Sequence, residues 1–402
     1  MVKPINRQVG ETCFPRAGYA VVSVALICLL ALAGCVVPLS EVPPGGTQPL
    51  VKVGLAAAFE GLDRPLGYEA LAGVKLALAE RNAHGGVGGY MLELVALNDF
   101  GEPDEARLQA REFAADPAVL GVVTGWSAET ARASLPVYQQ VGLGVAVPWS
   151  VSPQLADPGS GIVLVAADVQ QVSQVLAQAV AATYPQRLVV VGDETSAAPY
   201  VELMHALGLR VESIPPPGVL GGEIEAWATR LVLGRVQPPD VLVLAADDVL
   251  SCEMLLASSS LGWMGTAFGG PEVGSVHLVN LAGDEAVGLT FASPSPAGRD
   301  VLQLVEGESD LEWEALGPRA VLAYDATHVL LDAIQFAIQR DGYPSRQGVV
   351  AALPKIHRQG LTGAIAFDAA GRRVGGPVWL YQIGPKDYPG RLLLSPQASG
   401  SE

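Results

Sequence analysis

The sequence predicts an α/β protein of two doubly wound, Rossmann-like lobes. Three observations carry that prediction. Short β-rich runs alternate with longer stretches of helical period along nearly the whole chain. About eight such βα units are present, more than one compact open sheet of ordinary size holds. Half of the 402 residues are hydrophobic against 16% charged, a balance that suits packed cores and not a disordered chain.

Taken in order, the strands of the first half are 51–57 VKVGLAA, 91–97 MLELVAL, 120–124 LGVVT and 143–147 LGVAV. Between and after them, 66–83, 102–115 and 128–141 carry apolar residues at three- and four-residue spacing. Strands of this length alternating with helices build a mostly parallel sheet covered on both faces. Gly85-Gly86-Val87-Gly88-Gly89 follows a helix, so it reads as a helix stop. The acidic run Glu102-Pro103-Asp104-Glu105 stands at a helix start, where negative charge suits the dipole.

A second set of strands follows at 187–192 RLVVVG, 209–214 LRVESI, 240–246 DVLVLAA and 287–292 VGLTFA. Next comes a long helix over 317–339, with Val321, Leu322, Val329, Leu330, Ala333, Ile334 and Ala337 on one face. Near the end, 362–367 TGAIAF and 377–383 PVWLYQI flank Asp368-Ala369-Ala370-Gly371, which reads as a β-turn between antiparallel strands. No fixed repeat of 20 to 50 residues is evident, which argues against solenoids and propellers.

The amino-terminal segment stands apart. Lys3, Arg7 and Arg16 precede an uncharged run from Ala17 to Gly34 that ends at Cys35. A positive region, an apolar stretch and small residues before a boundary make a secretory signal. Leu32-Ala33-Gly34-Cys35 resembles the bacterial lipobox, which implies cleavage after residue 34 and a lipid on the Cys35 thiol. The alternative is an uncleaved membrane anchor. Either way the remainder lies outside the cytoplasm, and residues 35–50, with four prolines, read as lipid anchor and tether.

Cleavage removes three cations and one anion, so the formal charge of −17 becomes −19 over 368 residues. A nucleic-acid partner is excluded by that balance, since no basic stripe is available to neutralise phosphates. Cys13 and Cys28 leave with the signal. With Cys35 acylated, Cys252 stands alone and no internal disulfide is expected.

Eight motifs, in order, resemble the type I periplasmic binding proteins of the branched-chain amino-acid (Leu/Ile/Val) family. They are Gly67 with Gly73-Val74-Lys75-Leu76-Ala77-Leu78-Ala79-Glu80-Arg81-Asn82, the Gly85–Leu94 segment, Asn98-Asp99, Asp168 with Gln171, Gly270-Pro271-Glu272-Val273-Gly274, Ala282–Gly288, Ala323-Tyr324-Asp325-Ala326, and Leu361–Asp368. The resemblance covers Val51 to Ile383. It implies a clam of two α/β lobes joined by a hinge of three crossings, with ligand in the cleft at the carboxyl ends of the strands. The first lobe would comprise 51–165 plus 294–374, and the second 166–293 plus 375–402.

The resemblance also implies site residues. In the first lobe the α-carboxylate of an amino acid would be held by Ser127, Ala128 (through its N–H), Thr130, Ser150 and Val151 (through its N–H). A helix amino terminus with unpaired N–H groups suits such an anion, although Ser and Thr at these places equally serve as caps. From the second lobe Glu272, in its Gly-Pro-Glu turn, matches the family's partner for the ligand ammonium, and Asp247 falls where the family often has a tyrosine. Trp126 and Trp149 would be walls, or else core residues. Two indoles near two or three carboxylates, Glu129 among them, favour a cationic or amine-bearing ligand.

Enzymatic motifs are weak. Gly125-Trp126-Ser127-Ala128-Glu129 misses the nucleophile elbow at its last position, and Asp325 with His328 reads as a helix-face pair. No phosphate-binding loop appears, and the five histidines show no metal-ligand spacing, so no cofactor and no metal are expected. The expected protein is a non-enzymatic, lipid-anchored, extracytoplasmic solute-binding protein that delivers an amino acid or related amine to an ABC permease. The competing readings are a sensor subunit for a signalling partner and, third, an exported hydrolase.

Overall fold

A computed structural model describes residues 49–149, 152–218, 223–234, 236–301 and 316–396. The signal segment 1–34, Cys35, most of the tether, Ser150 and Val151 lie outside the described residues.

Two sheets organise the chain. The first runs β2-β1-β3-β4-β5, built from β1 (Leu50–Ala57), β2 (Met91–Asn98), β3 (Val119–Val123), β4 (Gly144–Val147) and β5 (Ile162–Leu164), all parallel. The second is seven-stranded, β14-β13-β10-β9-β8-β6-β7. Its parallel part comprises β6 (Leu188–Gly192), β7 (Val211–Ile214), β8 (Val241–Ala245), β9 (Thr266–Gly269) and β10 (Thr290–Ser293). Both parallel sets therefore have one doubly wound order, second-first-third-fourth-fifth. The order reverses between β1 and β3 in one lobe and between β6 and β8 in the other, which is where such sheets open a crevice at their carboxyl ends.

The strands are apolar on both faces because helices cover both. In the first lobe α1 (Arg64–Ala83) and the carboxyl-terminal α9 (Pro318–Asp341) pack one face, while α2 (Pro103–Ala115) and α3 (Ala128–Gln140) pack the other. The second lobe carries α4 (Val169–Ala181) and α5 (Glu194–Ala206) on one side, and α6 (Glu223–Leu233), α7 (Asp248–Ser260) and α8 (Val276–Ala282) on the other. The last helix, α10 (Arg346–Ala352), packs beside α9. Asp168 opens α4 through a capping box with Gln171.

Alpha 1 and α9 meet at Gly73, where a Cβ would stand 2.0 Å from the Ala320 carbonyl oxygen. That contact is backbone, so the neighbour cannot yield by rotating a side chain. Gly73→Ala is expected to cost about 1–3 kcal/mol by overpacking, read as a lower urea midpoint.

The glycine-rich stretch after α1 stops the helix as expected. Gly86, at φ 77, donates to the Arg81 carbonyl, and a Cβ there would meet the Tyr90 oxygen at 1.9 Å. Near the end of the chain the expected strand pairing is corrected. The strand β12 (Gly363–Ile365) pairs with β11 (Arg358–Gly360), whereas β13 (Trp379–Gly384) pairs with β10 and β14 (Asp387–Leu394) in the other sheet. The Asp368–Gly371 turn does form, with the Gly371 N–H on the Asp368 carbonyl, but it closes only a single bridge between Phe367 and Arg373. The reason lies in Arg373, whose buried guanidinium donates to the carbonyls of Val165, Thr362 and Ala364 and holds this segment to the first lobe. The chain then leaves for the second lobe past Gly376, which has no room for a side chain against Ala167.

Asp325 and His328 do not form the expected helix-face pair either. Asp325 accepts from the Leu361 and Thr362 backbone, while His328 Nε2 lies 3.5 Å from a Glu80 oxygen. Cys252 is free and buried, and burial lifts its thiol to about 11.

Candidate functional site

The two crevices face one another. Their walls come from the loops after β1, β3 and β4 in the first lobe and after β6, β8 and β9 in the second. Gly125, at φ 88, turns the chain out of β3. Ser127 then caps α3: its Oγ accepts from the Thr130 N–H at 3.2 Å and lies 3.0 Å from Thr130 Oγ1. Thr130 is buried, and its hydroxyl also contacts the Ser127 carbonyl. These two hydroxyls are thus engaged in the cap, which leaves the first N–H groups of α3, beginning with Ala128, as donors that a helix cannot satisfy internally.

The two indoles differ. Trp126 is half-buried against the first core and donates Nε1 to the Ala56 carbonyl at 2.9 Å. Trp149 is 4% exposed, and the Arg319 guanidinium lies over its ring at 4.2 Å from the centroid. The chain's own cation therefore occupies the aromatic face that a ligand cation was expected to use.

In the second lobe Asp247 caps α7, accepting from the Leu250 N–H at 2.9 Å, and is exposed. The carboxylate that meets the other lobe belongs to the next residue. Asp248 accepts from Ser275 Oγ and lies 3.3 Å from His277 Nδ1. With Asp63 of the β1 loop these groups bring three ligand-type atoms within 4.8 Å of one another. Histidine spacing in the sequence placed no second ligand near His277, because its neighbours come from two other loops. Burial raises the Asp63 carboxyl above the usual range, and the Asp248 charge adds to the rise. Two carboxylates thus approach each other where the lobes close.

Glu272 behaves as a cleft residue. It is exposed to water, yet the protein around it is dense enough that desolvation raises its carboxyl. Charges of the first lobe reach it as well: Arg319 opposes the rise and Glu129 adds to it. At Gly270 the backbone is crowded by this carboxylate and by Tyr200. A Cβ would stand 2.2 Å from the Tyr200 hydroxyl and 2.9 Å from Glu272 Oε2. Tyr200 itself is buried on α5.

Sequence reasoning passed over the centre of this arrangement. Arg319, second residue of α9, is 4% exposed and sits between the lobes. Glu69 of α1 accepts from the backbone N–H groups of Arg319 at 2.7 Å and Ala320 at 3.3 Å. From the second lobe, the Tyr388 hydroxyl lies against the guanidinium and donates to the Gly274 carbonyl at 3.0 Å. One signal was available: a cation in the first turn of a helix opposes the helix dipole.

A family model for periplasmic binding proteins matches residues 50–388. The chain belongs to that family. This periplasmic binding protein is 22% identical over 306 residues to the Leu/Ile/Val-binding protein of Escherichia coli K12, covering 73% of this chain and 81% of the relative. It is likewise 22% identical to the Leu/Ile/Val-binding protein of Citrobacter freundii over 332 residues, 80% of this chain and 87% of the relative. Among solved structures, a leucine-binding protein of Thermotoga maritima superposes with a TM-score of 0.70 at 20% identity, over 83% of this chain and 96% of that one. A branched-chain amino-acid transporter substrate-binding protein of Streptococcus pneumoniae, in complex with isoleucine, gives 0.70 at 17% identity, over 86% and 98%. The two-lobed type I fold is that of these neighbours. They bind solutes and are not enzymes, and the family is extracytoplasmic.

Proposed function

We propose that the protein is a lipid-anchored solute-binding component of an ABC importer that holds an amino acid between its lobes. The observation that carries this reading is Glu272. It is a water-accessible carboxylate of the second lobe within electrostatic reach of Arg319 and Glu129 of the first. In the bound state its carboxylate accepts from the ligand ammonium. The N–H groups of Ala128 and its neighbours, presented by the Ser127–Thr130 cap, receive the α-carboxylate. Ser150 and the Val151 N–H are proposed as further donors to that carboxylate, Trp126 and Trp149 as the wall, and Asp247 as a contact from the second lobe.

The lobes we bound at 165/166, 293/294 and 374/375. Ligand that touches both favours the closed form by its differential contacts, and the closed form is what a permease recognises. Lipid on Cys35 keeps the protein beside that permease.

Isothermal titration against a panel of amino acids tests the reading. Glu272→Gln is expected to weaken binding roughly 10- to 100-fold, from the 1.5–3 kcal/mol of a charge-assisted hydrogen bond. Unchanged affinity in that variant would remove Glu272 from the site.

A further inference from the structure

Two nitrogens of the Arg319 guanidinium have no acceptor. Its Nε and Nη1 are buried without a hydrogen-bond partner, and the residue forms no ion pair among the described residues. A buried guanidinium in this condition is costly, because its desolvation goes uncompensated. Its position compounds the cost: as the second residue of α9 it adds positive charge to the positive end of a 24-residue helix. The nearby carboxylate of Glu69 turns its Oε1 to the backbone N–H groups of Arg319 and Ala320 and forms no ion pair with the guanidinium.

The surroundings point across the cleft. Trp149 supports the guanidinium from beneath at 4.2 Å and fixes its plane. From the second lobe, the Tyr388 hydroxyl lies against it and the Glu272 carboxylate feels its charge. Nε and Nη1 meet protein and not water, so an incoming group reaches them only when the lobes part.

We infer that Arg319 donates a guanidinium N–H to a carboxylate of the ligand, so that the bound molecule is an amino acid held by its ammonium at Glu272 and by a carboxylate at Arg319. Arg319 is then a specificity-determining residue, and amines and amino-acid amides that lack a carboxylate are rejected. The inference rests on the reading of this cleft as an amino-acid site. The carboxylate has two sources: the side chain of an acidic amino acid whose α-carboxylate stays on the α3 N–H groups, or the α-carboxylate itself, shared between those N–H groups and Arg319. A charge-assisted N–H···O bond from the guanidinium suits either.

The test is titration calorimetry on the full chain in detergent with L-leucine, L-leucinamide, L-glutamate and L-glutamine, for the parent, Arg319→Met, Arg319→Lys and Glu272→Gln. Arg319→Met is expected to weaken a carboxylate ligand at least 100-fold, and Arg319→Lys about tenfold, with circular dichroism confirming that each is folded. Should the methionine variant not fold, the lysine variant reads the same effect. Binding of leucine without leucinamide assigns the α-carboxylate; binding of glutamate without glutamine or leucine assigns the side chain. The inference is overturned if either folded variant binds within twofold of the parent, or if leucinamide binds as tightly as leucine. A loss in Glu272→Gln with none at Arg319 leaves the amino-acid site standing without this residue. No binding by any carboxylate overturns both.

Discussion

Asp325→Ala is expected to destabilise the protein by about 3–5 kcal/mol, the cost of removing one partner from a buried charged network. Asp325 has no exposed surface, and its two oxygens accept from the Leu361 N–H at 2.9 Å, the Thr362 N–H at 2.8 Å and Thr362 Oγ1 at 2.6 Å. Thr362 Oγ1 in turn accepts from Arg373 Nη1 at 2.8 Å. Burial pulls the Arg373 guanidinium down to about 10, with the Asp325 charge resisting the fall. Alanine would leave two backbone donors and one hydroxyl without acceptors, and a buried cation without its counter-charge. Urea denaturation followed by circular dichroism reads the loss, and Asp325→Asn, which keeps an acceptor, should lose less. A midpoint equal to that of the parent would show that this network contributes nothing to stability.

Asp99→Asn is expected to stabilise the protein at neutral pH. Asp99 is 2% exposed, and burial lifts its carboxyl to about 6, with the Gly101 N–H opposing the rise and the Asp63 charge adding to it. A carboxyl raised in the folded state favours folding while protonated. Its contribution is complete below the ordinary value near 4 and is lost as pH rises through about 6. The displacement corresponds to about 3 kcal/mol. Asparagine cannot ionise, yet it can still accept from the Gly101 N–H, which lies 3.0 Å from Oδ1. Thermal melts at pH 4 and pH 7 should show the variant a few degrees above the parent at the higher pH and nearly equal at the lower. Parallel melting curves for the two proteins across that range would sink the assignment.

Those two carboxylates illustrate what can be read from the chain before its fold is known. Asp99 and Asp325 both fall in motifs that resemble the family, but the role of Asp99 comes from its burial and that of Asp325 from Thr362 and Arg373, far away in sequence. The apolar runs of β1, β3, β6 and β8 were legible because burial on both faces leaves a continuous hydrophobic signature. Ile162–Leu164 and Thr266–Gly269 were passed over because three or four residues carry too little pattern, and Asp387–Leu394 because Pro389 and Gly390 argue against a strand. Within the site, Glu272 was visible from its Gly-Pro-Glu turn. Arg319 was not, since its meaning comes from Trp149, Glu69 and Tyr388, which lie 170, 250 and 69 positions away. Asp248, the neighbour of Asp247, comes close to Asp63 of the first lobe. Their neighbouring positions at a helix start look alike until the cap is seen.

The helix Pro318–Asp341 is long and apolar enough to cross a bilayer, though it is the buried spine of the first lobe. For a chain that must itself pass through a membrane, such a segment risks stopping halfway. Asp325 and Asp332 lie within its length, and a carboxylate near the middle of a spanning helix costs about 2.5–3.5 kcal/mol on insertion. The same residues later bind Thr362 and the guanidinium groups of Arg81 and Arg358. The two carboxylates thus count against this helix resting in a bilayer, and in the folded lobe the same groups tie it to its neighbours.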